Sequence, residues 1–287
     1  MPLMSRLLAT VLATALPLSA AAQETLYFSA IPDEDETRLV ERFTAVADYL
    51  SEELGVPVEF VPVKSYPAAV TAFRNDQVQL AWFGGLSGVQ ARLLVDGARA
   101  IAQGDEDTSF VSYFIAHTDT GLTESEDFPE AARGMSFTFG AKTSTSGRLM
   151  PEYAIRENTG EAPEEFFDRV GFSGDHSQTL RLVASGAWQV GALNYAVYDQ
   201  AVADNAPEVE TAKVIWKTPP YPDYNWTIRG DVDARWGEGF ADKVQAALVG
   251  MDDPDLLAAF PRNAFIPAAN KDYAPIEQVA RDLDLLE

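Results

Sequence analysis

The fold is best approached from one stretch, Phe-Thr-Phe-Gly-Ala-Lys-Thr-Ser-Thr-Ser-Gly-Arg-Leu-Met, which occupies residues 137–150. The alternating pattern of Ser136–Phe139 predicts a short strand, and a helix is expected from Arg148. Between them stand four consecutive hydroxyl residues, Thr143–Ser146, followed by Gly147. The start of a helix leaves backbone N–H groups without partners and carries partial positive charge. The stretch therefore predicts an anion site that needs no basic side chain.

An ordinary helix cap is the alternative for this stretch, because Ser and Thr are favoured at that position. A cap requires one hydroxyl, whereas four in a row precede Gly147. We therefore favour an anion site built on Ser144, Thr145 and Ser146 over a cap alone. The segment lacks the Gly-Lys-Ser/Thr ending of a Walker phosphate-binding loop, so it is not a nucleotide loop of that kind.

Composition excludes several classes of protein. The formal net charge of −23 argues against nucleic acid or an anionic membrane surface as a partner. The same charge repels the predicted anion at long range, so capture would rest on local, oriented dipoles. The chain has no cysteine, which excludes a disulfide and a thiol nucleophile. With His117 and His176 as its two histidines and no calcium-hand spacing, we expect neither a metal nor a cofactor.

The N-terminus has the pattern of a secretory signal peptide. Arg6 precedes the apolar run 7–18, which is too short for a comfortable membrane span, and Ala20–Ala22 forms a small-residue cleavage site. We therefore expect residues 1–22 to be a signal peptide and the mature protein, from Gln23, to be exported to the periplasm.

The remaining segments alternate between strand and helix patterns, which predicts an α/β architecture. The polar stretch 118–129 and the Pro-rich stretch 218–224 look like two connections between units. Residues 23–117 together with 226–287 are predicted to form lobe 1, and 118–225 to form lobe 2. Everything after Trp226 is expected to be mostly helical. Ligands of open α/β sheets lie beyond the carboxyl ends of strands, so two such units predict a cleft that closes on a ligand.

Other candidates follow the ends of predicted strands. Gly84-Gly85 lacks the spacing of a dinucleotide loop, and a tight turn that brings backbone N–H groups to the cleft is the better interpretation. Trp82 is equally consistent with core and with pocket wall. His176 lies at a strand-to-helix turn, where it could donate to an oxyanion while Asp175 fixes its tautomer.

A hydrolase is the enzymatic alternative, since Ser146, His176 and an aspartate could imitate a catalytic triad. The chain has no Gly-x-Ser-x-Gly nucleophile turn, and the serine run indicates a helix start. We therefore predict a binding protein and no enzyme.

Six segments together resemble the periplasmic substrate-binding proteins of phosphonate, phosphite and phosphate-type ABC importers, in a branch often labelled selenate-binding. They span nearly the whole mature chain: Ala-Ile-Pro-Asp-Glu-Asp (30–35), Phe-Val-Pro-Val-Lys-Ser-Tyr (60–66), Gln-Leu-Ala-Trp-Phe-Gly-Gly-Leu (79–86), Ser-Thr-Ser-Gly-Arg-Leu-Met-Pro (144–151), Gly-Asp-His (174–176) and Trp-Lys-Thr-Pro-Pro-Tyr-Pro-Asp-Tyr-Asn-Trp (216–226).

The resemblance implies a two-lobed periplasmic-binding-protein clamshell of type II-like topology, with a hinge of two crossings. It also implies oxyanion binding through the hydroxyls and backbone N–H groups of residues 144–146, with Tyr66 and His176 as further ligand-binding residues. Asn194 stands where amine-bearing phosphonate binders carry an acid, which puts an aminophosphonate ligand in doubt. Aromatic enclosure is expected from Trp82, Tyr195 or Trp226.

The function implied is capture of a small tetrahedral oxyanion for an ABC permease, by a protein that we expect to be monomeric. The absence of a matched carboxylate favours an unprotonated dianion such as sulfate or selenate, unless Asp33 or Asp35 accepts a ligand proton. A sensor that presents its closed form to a membrane kinase remains a further alternative.

Overall fold

The computed structural model describes residues 23–34 and 36–286, and the predicted signal peptide lies outside them. The described chain forms two β-sheets. The first contains β1 (Leu26–Ala30), β2 (Val58–Phe60), β3 (Leu80–Phe83), β4 (Arg99–Gly104), β10 (Asn225–Ile228) and β11 (Phe265–Pro267). The second contains β5 (Ser112–His117), β6 (Ser136–Phe139), β7 (Arg169–Phe172), β8 (Val190–Asn194) and β9 (Ala212–Lys217).

Twelve α-helices accompany the sheets in the described part of the chain: α1 (Glu36–Leu54), α2 (Tyr66–Arg74), α3 (Gly85–Leu94), α4 (Met150–Thr159), α5 (Pro163–Phe166), α6 (His176–Ala184), α7 (Tyr195–Ala203), α8 (Glu208–Thr211), α9 (Val232–Trp236), α10 (Phe240–Val249), α11 (Pro254–Ala259) and α12 (Ala274–Asp282). Local signals place their ends. Ser65 caps α2 with Pro67 in its first turn, and α4 ends at Gly160 in the left-handed conformation, with φ 72°.

The two sheets share one plan. Their orders are β11-β4-β10-β3-β1-β2 and β7-β6-β8-β5-β9. In each, three parallel strands are followed by antiparallel ones: β10 pairs antiparallel with β3 and β4, and β5 with β8 and β9. The carboxyl ends of β1, β2, β3, β6 and β8 thus lead to the starts of α1, α2, α3, α4 and α7. This edge of each sheet is where an α/β unit holds a ligand.

The sheet order corrects the predicted lobe boundary. Strand β5, Ser112–His117, belongs to the second sheet, so the first crossing runs over 105–111 and not after residue 117. The polar stretch 118–129 instead connects two strands within lobe 2. Its polarity indicates an exposed connection, which is a property of any surface loop as much as of a lobe boundary. The Pro-rich segment 218–224, here called the second crossing, runs from β9 of the second sheet to β10 of the first.

The C-terminal segment is also richer in strand than expected. It supplies β10 to the middle of the first sheet and β11 to its edge. Around β10 an aromatic cluster fills the core of lobe 1: the Trp226 ring lies 5.3 Å from Trp82, 5.7 Å from Phe28 and 6.0 Å from Phe260, between ring centres. Burying such side chains contributes about 1.5–3 kcal/mol each.

Candidate functional site

The two lobes meet at the carboxyl ends of their parallel strands. The Leu86 N–H of lobe 1 donates to Thr145 Oγ1 of lobe 2 over 3.0 Å. The His176 N–H of lobe 2 donates to the Asp33 carbonyl of lobe 1, also over 3.0 Å. The structure therefore has its lobes in direct contact, with the candidate residues between them.

The hydroxyl run lies at this junction. Ser144 precedes a single π-type turn, Thr145–Leu149, that leads into α4, and its Oγ accepts the Gly147 N–H over 2.9 Å. Ser144, Thr145 and Ser146 are all at most 2% exposed. Ser112 Oγ holds the backbone of the turn by donating to the Ser146 carbonyl over 2.7 Å. The run is thus both a helix cap, through Ser144, and a buried group of hydroxyls facing lobe 1.

Tyr66 lies opposite this run, at the first position of α2. Its hydroxyl is 3.5 Å from His176 Nε2 and hydrogen-bonds to the Ser144 side chain. Burial, followed by the negative charge of Asp33, raises the pKa of Tyr66 well above its ordinary value. The phenol therefore stays protonated and is available as a hydrogen-bond donor.

His176 is fully buried at the start of α6. Burial lowers its pKa to about 3, so the imidazole is neutral at physiological pH. Nδ1 accepts the Asn194 N–H over 3.2 Å, which leaves the ring proton on Nε2, the nitrogen facing Tyr66. Asn194 therefore fixes the tautomer, a role that we predicted for Asp175. Asp175 instead caps α6 by accepting the Gln178 N–H.

Two buried carboxyl groups complete the site. Asp223, in the second crossing, accepts the Gly85 N–H over 2.8 Å and hydrogen-bonds to Thr145. Asp33 accepts the Tyr224 hydroxyl over 2.7 Å. Burial raises the pKa of Asp223 to about 7 and that of Asp33 to about 6. Asp223 Oδ2 and Asp33 Oδ1 are buried and have no hydrogen-bond partner among the described residues.

These carboxyls change the expected chemistry. The sequence prediction leaves the acceptor role open to Asp33 or Asp35 and does not include Asp223. Its position in the Pro-rich crossing was the available signal, since a residue between the two lobes must lie near their cleft. Asp33 was considered as an acceptor and lies here, while Asp35 lies outside the described residues.

Gly84 and Gly85 form the close approach between the lobes. A Cβ at Gly84 would lie 3.2 Å from both Asp223 Oδ1 and Thr145 Oγ1. The turn places the Gly85 N–H on Asp223 and the Leu86 N–H on Thr145 at the start of α3. Space therefore favours glycine at residue 84, whereas its φ of −73° would suit any residue.

The remaining candidates lie around this group. Asn194 is 4% exposed; its Oδ1 caps α7 by accepting the Ala196 N–H, and its Nδ2 donates to the Tyr224 hydroxyl over 3.1 Å. The Trp82 ring stacks on the Tyr224 ring, with 5.3 Å between ring centres. Because the Tyr224 hydroxyl donates to Asp33, the Tyr224 side chain lies between Trp82 and that carboxyl.

Trp226 and Tyr195 are placed by other contacts. Trp226 packs in the aromatic core of lobe 1, so packing accounts for its ring. Tyr195 is half-buried against Phe110 of the first crossing, at 4.8 Å. Aromatic enclosure of the ligand thus remains a prediction for these rings.

The described residues contain neither a cluster of metal ligands nor a membrane-spanning helix. No group of three or more His, Cys, Asp or Glu side chains there is arranged to hold a metal ion. Within 23–34 and 36–286, no helix has both the length and the apolar character needed to cross a membrane.

Known proteins resemble this chain over most of its length. A family model described as "ABC transporter, phosphonate, periplasmic substrate-binding protein" matches residues 28–273. The probable ABC transporter phosphite binding protein PhnD1 of Prochlorococcus marinus (strain MIT 9301) is 38% identical over 266 residues, 90% of each chain. The phosphonates-binding periplasmic protein of Escherichia coli (strain K12) is 26% identical over 210 residues, 72% of this chain and 61% of that protein.

Two further comparisons agree. The phosphate-import protein PhnD of Mycolicibacterium smegmatis (strain ATCC 700084 / mc(2)155) is 27% identical over 218 residues, 70% of this chain and 66% of that protein. The structure of Prochlorococcus PhnD1 in complex with methylphosphonate matches with a TM-score of 0.88, covering 91% of this chain and 98% of that one. The predicted two-lobed α/β binding-protein fold and the absence of an enzymatic activity in this family are therefore confirmed. The chain belongs to the periplasmic substrate-binding proteins of phosphonate ABC transporters.

Proposed function

We propose that this protein captures a small, singly protonated phosphorus oxyanion, phosphite or methylphosphonate, between its two lobes and delivers it to the permease of an ABC importer. The observation that carries the proposal is the pair of buried carboxyls, Asp223 and Asp33, set among neutral donors. The similarity to PhnD1, a phosphite binding protein whose structure contains methylphosphonate, supports this ligand class.

The donors suit the ionised oxygens of such a ligand. Tyr66, His176 Nε2 and the hydroxyls of residues 144–146 can all donate, and none of them carries charge. Neutral donors in a buried site bind an anion through oriented dipoles, without a permanent counter-charge that would slow its release.

The carboxyls suit the protonated oxygen. A buried acceptor without a partner is costly, and Asp223 Oδ2 and Asp33 Oδ1 are two of them. A P–OH group can donate to one of these oxygens. Sulfate and selenate carry no proton near neutral pH, so they would fit only with both carboxyls protonated. Because the pKa of Asp33 is about 6, this carboxyl is mostly ionised at pH 7 and repels such a dianion.

Calorimetry on the purified protein at pH 7 tests the proposal with phosphite, methylphosphonate, phosphate, sulfate and selenate. We expect binding of phosphite and methylphosphonate and no detectable heat with sulfate or selenate. Tight binding of sulfate or selenate would refute the role of the carboxyls. No binding of any of the five anions would overturn the function itself.

Three finer statements belong to the same proposal. We infer that residues 1–22 direct export and that the protein acts as a monomer with the permease as its partner. The signal pattern of the N-terminus supports the first statement. The family membership supports the partner.

A further inference from the structure

A cavity of about 580 Å³ opens directly outside Tyr66, between the two lobes. Lobe 1 lines it with residues such as Phe60 and Val63, and lobe 2 with Gly140, Ala141 and Phe172. It therefore adjoins the anion site and connects the solvent with Tyr66.

Three basic side chains line this cavity: Lys64, Lys142 and Arg181, here called the basic rim. All three residues are exposed. Each lies close in sequence to a residue of the anion site: Lys64 precedes Tyr66, Lys142 precedes the hydroxyl run, and Arg181 lies on α6, which begins at His176. The folding of each site element thus also brings a cation to the cavity.

Two acids, Glu34 and Asp175, line the same wall, so the three cations outnumber them. Glu34 accepts from Arg42 over 2.9 Å, and Asp175 Oδ1 accepts the Gln178 N–H over 2.6 Å. The cavity therefore collects positive charge on a protein with 44 acidic and 21 basic residues. This local positive charge offsets the long-range repulsion between the acidic protein and an anionic ligand.

We propose that the basic rim is an encounter site, which attracts the oxyanion into the cavity before it passes Tyr66 to the inner site. The inference rests on the proposed function. The rim residues are exposed and charged, while the inner donors are buried and neutral. The rim thus sets the association rate, and the inner site sets how long the ligand stays. Steering by surface charge changes association rates by about 10- to 1,000-fold and weakens with salt.

Stopped-flow fluorescence with phosphite tests this inference by comparing the wild type with K64Q/K142Q/R181Q. At an ionic strength of about 0.01 M, where the Debye length is about 30 Å, we expect the variant's association rate constant to fall roughly tenfold. The dissociation rate constant should stay within about twofold. The difference in association should shrink at about 1 M salt, where the Debye length is about 3 Å.

The matched control is R74Q/K213Q/K271Q, which also removes three positive charges, but at exposed residues outside the cavity. Its association rate should stay close to that of the wild type. An equal loss in both triple variants would reduce the effect to net charge and overturn the inference. A change confined to dissociation would also overturn it, because the rim would then belong to the final site. A wild type that does not bind phosphite or methylphosphonate would instead overturn the proposed function, and the inference with it.

Discussion

At the scale of single residues, the chemistry of the site depends on Asp223. The side chain is fully buried, accepts the Gly85 N–H and leaves Oδ2 without a described partner. Its desolvation raises the pKa from the ordinary 3.8 to about 7. Between about pH 3.8 and pH 7, the Asp223 carboxyl is therefore protonated in the ligand-free folded protein and ionised in the unfolded chain.

This predicts a pH dependence of stability in the ligand-free protein. A raised carboxyl pKa stabilises the fold below the unfolded value, and that stability is lost as the pH rises toward 7. Asp223→Asn has no titrating group at this position and so lacks this loss of stability. At about 1.4 kcal/mol per pK unit, the unfolding free energy of the variant, measured relative to that of the wild type, should rise by roughly 3 kcal/mol between pH 5 and pH 8. Urea denaturation at both pH values measures it.

The control for this prediction is Asp252→Asn, a change at an exposed residue. Its stability should follow the wild type at both pH values. If Asp223→Asn also follows the wild type, then Asp223 is already ionised in the folded protein at pH 5 and holds no proton there.

At the scale of elements, sequence was a good guide where local chemistry decides. The hydroxyl run does stand between β6 and a helix, and Gly160 ends α4 in the left-handed conformation. The sequence could not show that Thr145 reaches Leu86, because that hydrogen bond joins residues 59 positions apart. It also misassigned β5, since the strand pattern of Ser112–His117 does not indicate which sheet it joins.

The hydroxyl run leads to a prediction about the affinity for phosphite. Each hydrogen bond to a charged ligand contributes about 1.5–3 kcal/mol, so S144A/T145A/S146A should weaken phosphite binding by at least about 100-fold. Calorimetry measures the affinity, and circular dichroism checks that the helix content is kept.

A matched control removes three hydroxyls that donate to backbone carbonyls of the preceding helical turn. Thr44, Thr159 and Ser185 donate to the carbonyls of Val40, Ile155 and Leu182. Alanine at those three residues should leave the affinity unchanged. Equal affinity in both triple variants would mean that the anion is held elsewhere.

At the scale of the whole molecule, one buried ion pair joins the crossings to lobe 1. Arg262 donates to both carboxyl oxygens of Asp107, over 2.9 Å from Nε and 2.6 Å from Nη2. Asp107 lies in the first crossing, and its carbonyl accepts the Asp223 N–H of the second over 3.0 Å. The pair therefore holds in place the segment that carries the carboxyl of the site.

Breaking this pair on one side should destabilise the protein strongly. Arg262→Met leaves a fully buried carboxylate without its counter-charge, which costs about 3–5 kcal/mol. Adding Asp107→Asn removes that charge and keeps an acceptor for the Gly104 N–H, so the double variant should recover most of the loss. Urea denaturation of the two variants and of Asp107→Asn alone completes the cycle. A double variant as unstable as the sum of the two single ones would contradict the predicted coupling.

The position of β10 has a consequence for how the chain folds. Lobe 2 is continuous, from β5 to β9, whereas lobe 1 needs Asn225–Ile228 between β3 and β4. Trp82 meets Trp226 only after 143 intervening residues have been placed. Long-range pairings form slowly, because closing a large loop costs entropy before any contact stabilises it. We therefore expect lobe 2 to acquire its structure first, with the sheet of lobe 1 completed as the last cooperative step.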